Sequence, residues 1–410
     1  MSSKKKIFFA WLLVCICILS IFLIVPVART IRNFVETNWN VSLFGYSVLF
    51  VVISAFLCCL YFLWFRLKIR TLSNYIWLVA IAAVYIFFTL KLWKRPEEAI
   101  HFLEYGLLGF LLFKALQHHI SDKSIFLSAF LLGALIGISD EILQWMIPLR
   151  YWDLRDVGLN ALSVGLFQIA VWKGLEPEIP ATQIKPKSIK IVSWLFAANL
   201  LFLGLCSSNT PPRVRSYTKL FPFLTYLEKQ EPMNEIKFKH KDPEIGVFIS
   251  RLSSEDLTRT DRERAEEFGA IFKEWATKKY GDFLINFPGY AQPFLHEMRV
   301  HIFRRDRRFS LAKKSDNQND RKENLFIAYK ENLILEKYFG KTLQNSPHKW
   351  RNTRPKQIET EIDTTHFYRS PVSATAHIPL AEKLLWGVIL LIIITLVYLN
   401  IRISRHQKSA

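Results

Sequence analysis

Residues 124–146 read SIFLSAFLLGALIGISDEILQWM. An apolar run of this length forms a helix able to cross a hydrocarbon core of ~30 Å. Yet Ser139-Asp140-Glu141-Ile142-Leu143-Gln144 lies inside it. A carboxylate near the middle of such a helix costs roughly 2.5–3.5 kcal/mol on insertion scales, so two adjacent acids mark a place where polar groups are wanted. Pro148-Leu149-Arg150 follows, then Asp156-Val157-Gly158-Leu159-Asn160, then a second apolar run over 161–172. The pattern predicts an all-α polytopic bundle with a polar set buried between its helices.

The rest of the chain has the same character. Of its 410 residues 51% are hydrophobic, including 33 Phe and 12 Trp, and they gather in runs of about 20, the length of a membrane crossing. Eight spans are expected, at about 7–28, 43–65, 75–93, 98–117, 125–147, 153–175, 189–207 and 381–401. Lys4-Lys5-Lys6 before the first run could open a signal peptide, but the run exceeds the usual apolar region of one, and an uncleaved span is the better reading. With the N-terminus inside, the inner segments carry 15 Lys and Arg, including Lys4, Arg66, Lys123, Lys185 and Lys408; the outer short loops carry 7, namely Arg29, Arg32, Lys91, Lys94, Arg95, Arg150 and Arg155. Positive charge favours the cytoplasmic side. Both termini are therefore expected in the cytoplasm, and residues 208–380 on the outer side of the membrane.

Four regions follow: two N-terminal spans over 1–70, a membrane domain with one further helix over 71–207, an extracytoplasmic α+β domain over 208–380, and a last span with a short basic tail over 381–410. Cys15, Cys17, Cys58, Cys59 and Cys206 all fall in apolar spans, so the external segment must fold without disulfides. The net charge of +19 serves topology and contact with anionic lipid headgroups; no nucleic-acid partner is expected.

The fourth span opens Lys94-Arg95-Pro96-Glu97-Glu98-Ala99-Ile100-His101-Phe102-Leu103-Glu104-Tyr105, with proline and acids in the first turn as a helix N-terminus prefers. His101, Glu104 and Tyr105 share one face by their spacing of three and four. Asp140, Glu141 and Gln144 do so on the fifth span, and Asp153, Asp156 and Asn160 on the sixth. At 1.5 Å per residue, Asp140 and Glu141 lie roughly 10–12 Å below the outer end of their helix, a depth the other two sets share or undercut.

The order His101-x-x-Glu104-Tyr105, then Asp140-Glu141-x-x-Gln144, Pro148-x-Arg150 and Asp156-x-x-x-Asn160 resembles VanZ-like membrane proteins over about residues 75–175. Leu149 stands where that family usually has Gly between Pro and Arg, and Ser163 where Gly is common after Asn. The resemblance implies a bacterial cell-envelope protein, the founding member being linked to resistance to teicoplanin-type glycopeptides. It implies no reaction.

The acids Glu104, Asp140, Glu141 and Asp156 face Arg150 as the one certain cation, with His101 optional. An interhelical network held by Gln144, Asn160 and Ser139 would want balanced charge. The imbalance instead calls for protonated carboxyls or for a cation from outside. As an enzyme, the site would use Asp140, Glu141, Glu104, Asp156 and His101 for acid–base work, with Tyr105, Gln144, Arg150 and Asn160 holding a lipid-linked substrate and its phosphate. No cofactor is expected, although carboxylates alone could hold Mg²⁺. The alternatives are a binding or scaffold protein without chemistry, and a transporter; for transport the polar trail to the cytoplasm is missing.

In the external segment, Thr260-Asp261-Arg262-Glu263 reads as a capping box for a helix with Ala265, Phe268, Phe272 and Trp275 on one stripe. A second helix is expected over 331–343, strands over 245–249, 299–303 and 325–329, and a polar loop over 315–322. His296-Glu297-Met298-Arg299-Val300-His301 alternates like a strand and spaces its histidines by five, so helical zinc-protease geometry fails. Arg304-Arg305-Asp306-Arg307-Arg308 reads as a solvated rim that could meet anionic headgroups or glycopolymer phosphates.

Overall fold

The computed structural model describes residues 3–40, 42–93, 96–148, 150–235, 237–373 and 382–409. Lys94, Arg95 and Leu149 lie outside the described residues, as do the side chains of Arg29, Glu97, Arg405 and Lys408. The chain forms two compact units, Met1–Ser208 with Leu380–Ala410, and Asn209–Pro379.

Among the described residues, seven helices are long and apolar enough to cross a membrane, all of them in the first unit. They are α1 (Ser3–Asn38), α2 (Ser42–Tyr61), α3 (Leu72–Lys91), α5 (Ser124–Met146), α6 (Leu154–Ile169), α7 (Pro186–Ser207) and α16 (Glu382–Ser409). The remaining expected span, α4 (Ile100–Leu116), has 17 residues and follows a 3₁₀ turn at Pro96–Ala99. It measures about 25 Å, so seven full-length spans and a shorter helix replace the eight expected. Phe9, Phe50 and Leu391 lie exposed on α1, α2 and α16, as side chains facing lipid would. The protein is a mostly helical, multi-pass membrane protein.

The unit is built around α5, with 67% of its apolar window buried, against 17% for α1 and 11% for α16. It packs on α4, α6 and α7. Small residues let α6 come close, as in other membrane helix pairs. A Cβ at Gly133 would lie 2.8 Å from the methyls of Val164, and one at Gly137 would lie 3.0 Å from Asn160 Cβ. Ser163 is small and buried too, its hydroxyl donating to the Phe102 carbonyl at 2.9 Å. All of the chain's cysteines are free thiols.

The second unit contains α8 (Pro211–Leu220), strands β1 (Phe238–Asp242) and β2 (Gly246–Ser250), and helices α9 (Ser254–Glu263), α10 (Ala265–Glu274), α11 (Tyr280–Asn286), α12 (Pro293–Lys314), α13 (Gln318–Tyr338), α14 (Gly340–Asn345) and α15 (Thr353–Glu359). The expected α+β domain is thus mostly helical. Its sheet is one antiparallel hairpin, Phe238 opposite Ser250. Gly246 has φ +110°, and a Cβ there would meet the Tyr368 carbonyl at 2.1 Å, so only glycine lets this backbone approach. Beside it, Val247 and Ser370 complete the contact, with Val247 N donating to Tyr368 O at 2.8 Å and Ser370 N to Val247 O at 2.9 Å.

Several local expectations change. Residues 299–303 and 325–329 are helical, inside α12 and α13, because Leu295, Met298 and Ile302 recur at helical spacing into one core, and Leu325, Ala328 and Tyr329 into a second. Thr260 does not cap the helix of Ala265 and Phe268: it sits inside α9, whose own cap is Ser253, its hydroxyl accepting from Asp256 N at 3.1 Å, and α10 follows from Arg264 with no side-chain cap. The stripe of Ala265, Phe268 and Phe272 is buried as read, with Trp275 packed beside it. The helix expected over 331–343 is the end of α13, a break at Phe339 and then α14. The polar loop is shorter than 315–322, since Asn317 caps α13 through Asn319 N at 2.9 Å.

Candidate functional site

Three helices bring the expected polar residues together in the first unit. From α4, Tyr105 donates its hydroxyl to Asp140 Oδ2 on α5 at 3.1 Å. Gln144, one turn beyond Asp140, donates to Glu141 Oε1 at 2.8 Å and lies 3.5 Å from Asp140 Oδ2. Asp153 caps α6, its carboxylate accepting from Arg155 N at 2.8 Å. Its own N–H lies 3.4 Å from Glu141 Oε2, tying the start of α6 to α5. Asn160 packs against the Gly137 face of α5, where Tyr105 also lies. His101 Nδ1 is 3.3 Å from Glu104 Oε2, and its ring centroid is 6.4 Å from that of Tyr105.

Asp140, Glu141, Gln144 and Asn160 are all buried, Asp140 and Asn160 at 0% exposure. Their hydrogen bonding is incomplete. Asp140 Oδ1 and both polar atoms of the Asn160 amide are buried without a partner among the described residues. Native interiors pair nearly all such atoms, so three orphans from two residues on neighbouring helices form an unusual concentration.

Charge is distributed differently from the expectation. Arg150 Nη2 donates to the Val25 carbonyl of α1 at 3.1 Å. Among the described residues Arg155 meets the rim acids, its Nη2 lying 2.9 Å from Glu98, 3.3 Å from Asp156 and 3.6 Å from Asp153. Asp156 belongs to this half-exposed rim rather than to the buried set. Arg155 and Glu98 were missing from the set read from sequence. Their signal was position, since Arg155 directly precedes Asp156 in the first turn of α6 and Glu98 lies one turn before His101 and Phe102. With Arg155 at the rim and His101 beside Glu104, the donors that Asp140 and Glu141 find among the described residues are neutral. A buried pair of acids in that position needs a proton or an incoming cation. Among the described residues no three or more His, Cys, Asp or Glu are grouped to hold a metal ion.

In the second unit, the histidines of 296–301 sit on α12 and not on a strand. Five residues apart, they face different partners: His296 Nδ1 pairs with the Phe287 carbonyl at 2.9 Å, and His301 Nδ1 with Glu331. The arginine run is no uniform rim. Arg305 is 1% exposed, donating to Asn332 Oδ1 at 3.1 Å and to the His348 carbonyl at 2.7 Å, and stacked 4.6 Å from the Trp350 ring. No family model, curated protein or solved structure matches this chain.

Proposed function

We propose that the protein is a VanZ-like component of the bacterial cell envelope that binds or modifies a lipid-linked wall precursor at the outer face of the cytoplasmic membrane. In this reading both termini are cytoplasmic, residues 208–380 lie outside, and glycopeptide susceptibility is the trait affected. The observation that carries it is the trio of unpaired buried atoms, Asp140 Oδ1 and the Asn160 amide. Leaving such atoms unmade costs about 1–3 kcal/mol per group, and a ligand supplying a donor to Asp140 and a matching pair to Asn160 recovers it. Tyr105 and Gln144 aim the other oxygen of Asp140, His101 with Glu104 forms a proton relay beside it, and Arg155 with the Glu98–Asp153–Asp156 rim guards the approach. Asp140 and Glu141, lacking a cationic partner, are the acid–base pair.

The test compares lipid-linked precursors and teicoplanin susceptibility in strains carrying a deletion, the wild-type gene, Asp140→Asn or Glu141→Gln. Catalysis predicts that either variant behaves as the deletion; full rescue by both eliminates it. A reporter joined near Asn317 should be active outside the cytoplasm, and activity only inside would overturn the outward-facing site. A second reading, a non-catalytic scaffold, draws on the completed bonds Tyr105–Asp140 and Gln144–Glu141. It predicts rescue by Asp140→Asn, which keeps hydrogen bonding, and loss with Asp140→Leu.

A further inference from the structure

α12 presents Val300, Arg304, Arg307, Arg308 and Leu311 at helical spacing along a groove of about 420 Å³. One wall is Tyr280 stacked on Phe303, ring centroids 3.9 Å apart and planes 14° apart; Pro371 and Val372 form the other. The three guanidiniums differ. Arg304 Nε is committed to buried Glu331 at 2.8 Å. Arg308 Nη1 donates to a neutral partner, Asn324 Oδ1, at 3.0 Å. Arg307 is exposed, its guanidinium 6.0 Å from the Phe303 ring. Asp306, the acid between them in sequence, accepts instead from Arg305 Nε and Trp350 Nε1. Arg307 and Arg308 therefore lack a carboxylate partner among the described residues, in a groove that is otherwise apolar.

We propose that this groove binds a phosphate ester carrying an apolar chain. Guanidinium forks match phosphate oxygens, and two uncompensated charges balance the charge of about −2 on a phosphomonoester. Val300, Leu311 and the aromatic wall receive the first carbons of the chain. The volume lies within the range of about 300–1,000 Å³ typical of small-ligand sites. The proposal is independent of the roles given to Asp140 and Asn160.

The test uses the full chain in nanodiscs of zwitterionic lipid, with equilibrium dialysis of hexyl phosphate, inorganic phosphate and hexanol. Hexyl phosphate should bind saturably and at least tenfold more tightly than inorganic phosphate. Arg307→Gln with Arg308→Gln should weaken hexyl phosphate at least tenfold. Leu311→Ser, at an exposed position, should weaken hexyl phosphate while leaving inorganic phosphate unchanged. If phosphatidic acid in the disc abolishes hexyl phosphate binding, the ester comes from the bilayer; if binding is unaffected, the ester is soluble. Either result supports the groove. Non-saturable hexyl phosphate binding, or a double variant that binds as the wild type does, overturns it.

Discussion

Both units bury carboxylates, and they treat them in opposite ways. Glu331 is 0% exposed and receives the Tyr368 hydroxyl, the Ser370 hydroxyl at 2.9 Å, His301 Nδ1, and Arg304 Nε at 2.8 Å. Burial alone would raise its pKa, yet His301, Tyr368 and Arg304 outweigh it and hold the carboxyl below the ordinary glutamate range. Glu297, equally buried, accepts from Ser250 Oγ at 2.6 Å, Arg251 N at 2.8 Å and Ser373 Oγ at 3.1 Å. Asp140 has Tyr105 and a distant Gln144 on one oxygen and, among the described residues, no partner on the other. A carboxylate whose lone pairs are occupied helps fix a fold, whereas one left open on one side carries an unpaid desolvation cost.

The largest expected effect tests that contrast directly. Glu331→Ala should cost the second unit about 3–5 kcal/mol, the usual cost of stranding buried partners of an ion pair, read as a shift in denaturant unfolding. Asp140→Asn should change stability by no more than about 1 kcal/mol. If the two substitutions cost the same, the distinction between satisfied and waiting acids collapses.

The next effect is pH-dependent and belongs to the second unit. His348 is pushed down to about 4, first by burial and then by repulsion from Arg299 and Arg305. Its ring stands edge-on to Phe272 with centroids 5.8 Å apart. A base depressed on folding takes up its proton first in the unfolded chain. Its contribution is present above about pH 6.5 and is lost as pH falls toward 4, on the order of 3 kcal/mol in all. Glu331 acts in a lower window. Its contribution is present above the unfolded glutamate value of about 4.3 and is lost as pH falls through its depressed folded value. Melting curves across pH should show both, and His348→Gln should shrink only the upper one, to which His240 and His296, also held down by burial, contribute as well.

Gly133→Ala sharpens the comparison from the packing side. The added methyl meets Val164 at 2.8 Å and should cost about 1–3 kcal/mol through overpacking, read as earlier thermal aggregation of the detergent-solubilised protein. Asn160→Leu should have the smallest effect on stability, under about 1 kcal/mol in either direction. The amide it replaces has no partner to lose among the described residues. A large loss there would mean that Asn160 is structural glue.

The long apolar runs were legible because lipid demands about 20 such residues whatever they pack against, and the polar spacing on α4, α5 and α6 was legible because three- and four-residue repeats fix a helix face. Short runs were not. Residues 299–303 alternate over five positions, and only the wider series Leu295, Met298, Ile302 reveals α12. In the site, the shared face of Asp140 and Gln144 could be read, but the partner of Arg150 could not. A long guanidinium chooses among carbonyls and acids that sequence does not place: Arg150 reaches the Val25 carbonyl and Arg155 the acids Glu98, Asp153 and Asp156. Arg305 shows the same limit, since nothing in a run of arginines tells which one turns inward.

The pairing of Val247 with Arg369, beside Gly246 and the Tyr368 carbonyl, also sets an order of events during synthesis. β2 emerges more than a hundred residues before the segment that completes it. The outer edge of the hairpin stays unpaired until the chain reaches Ser370, about a dozen residues ahead of α16. Completion of the second unit and membrane insertion of the last helix therefore fall at nearly the same moment of translation, so a ribosome stalled before Ser370 would leave this edge of the hairpin open.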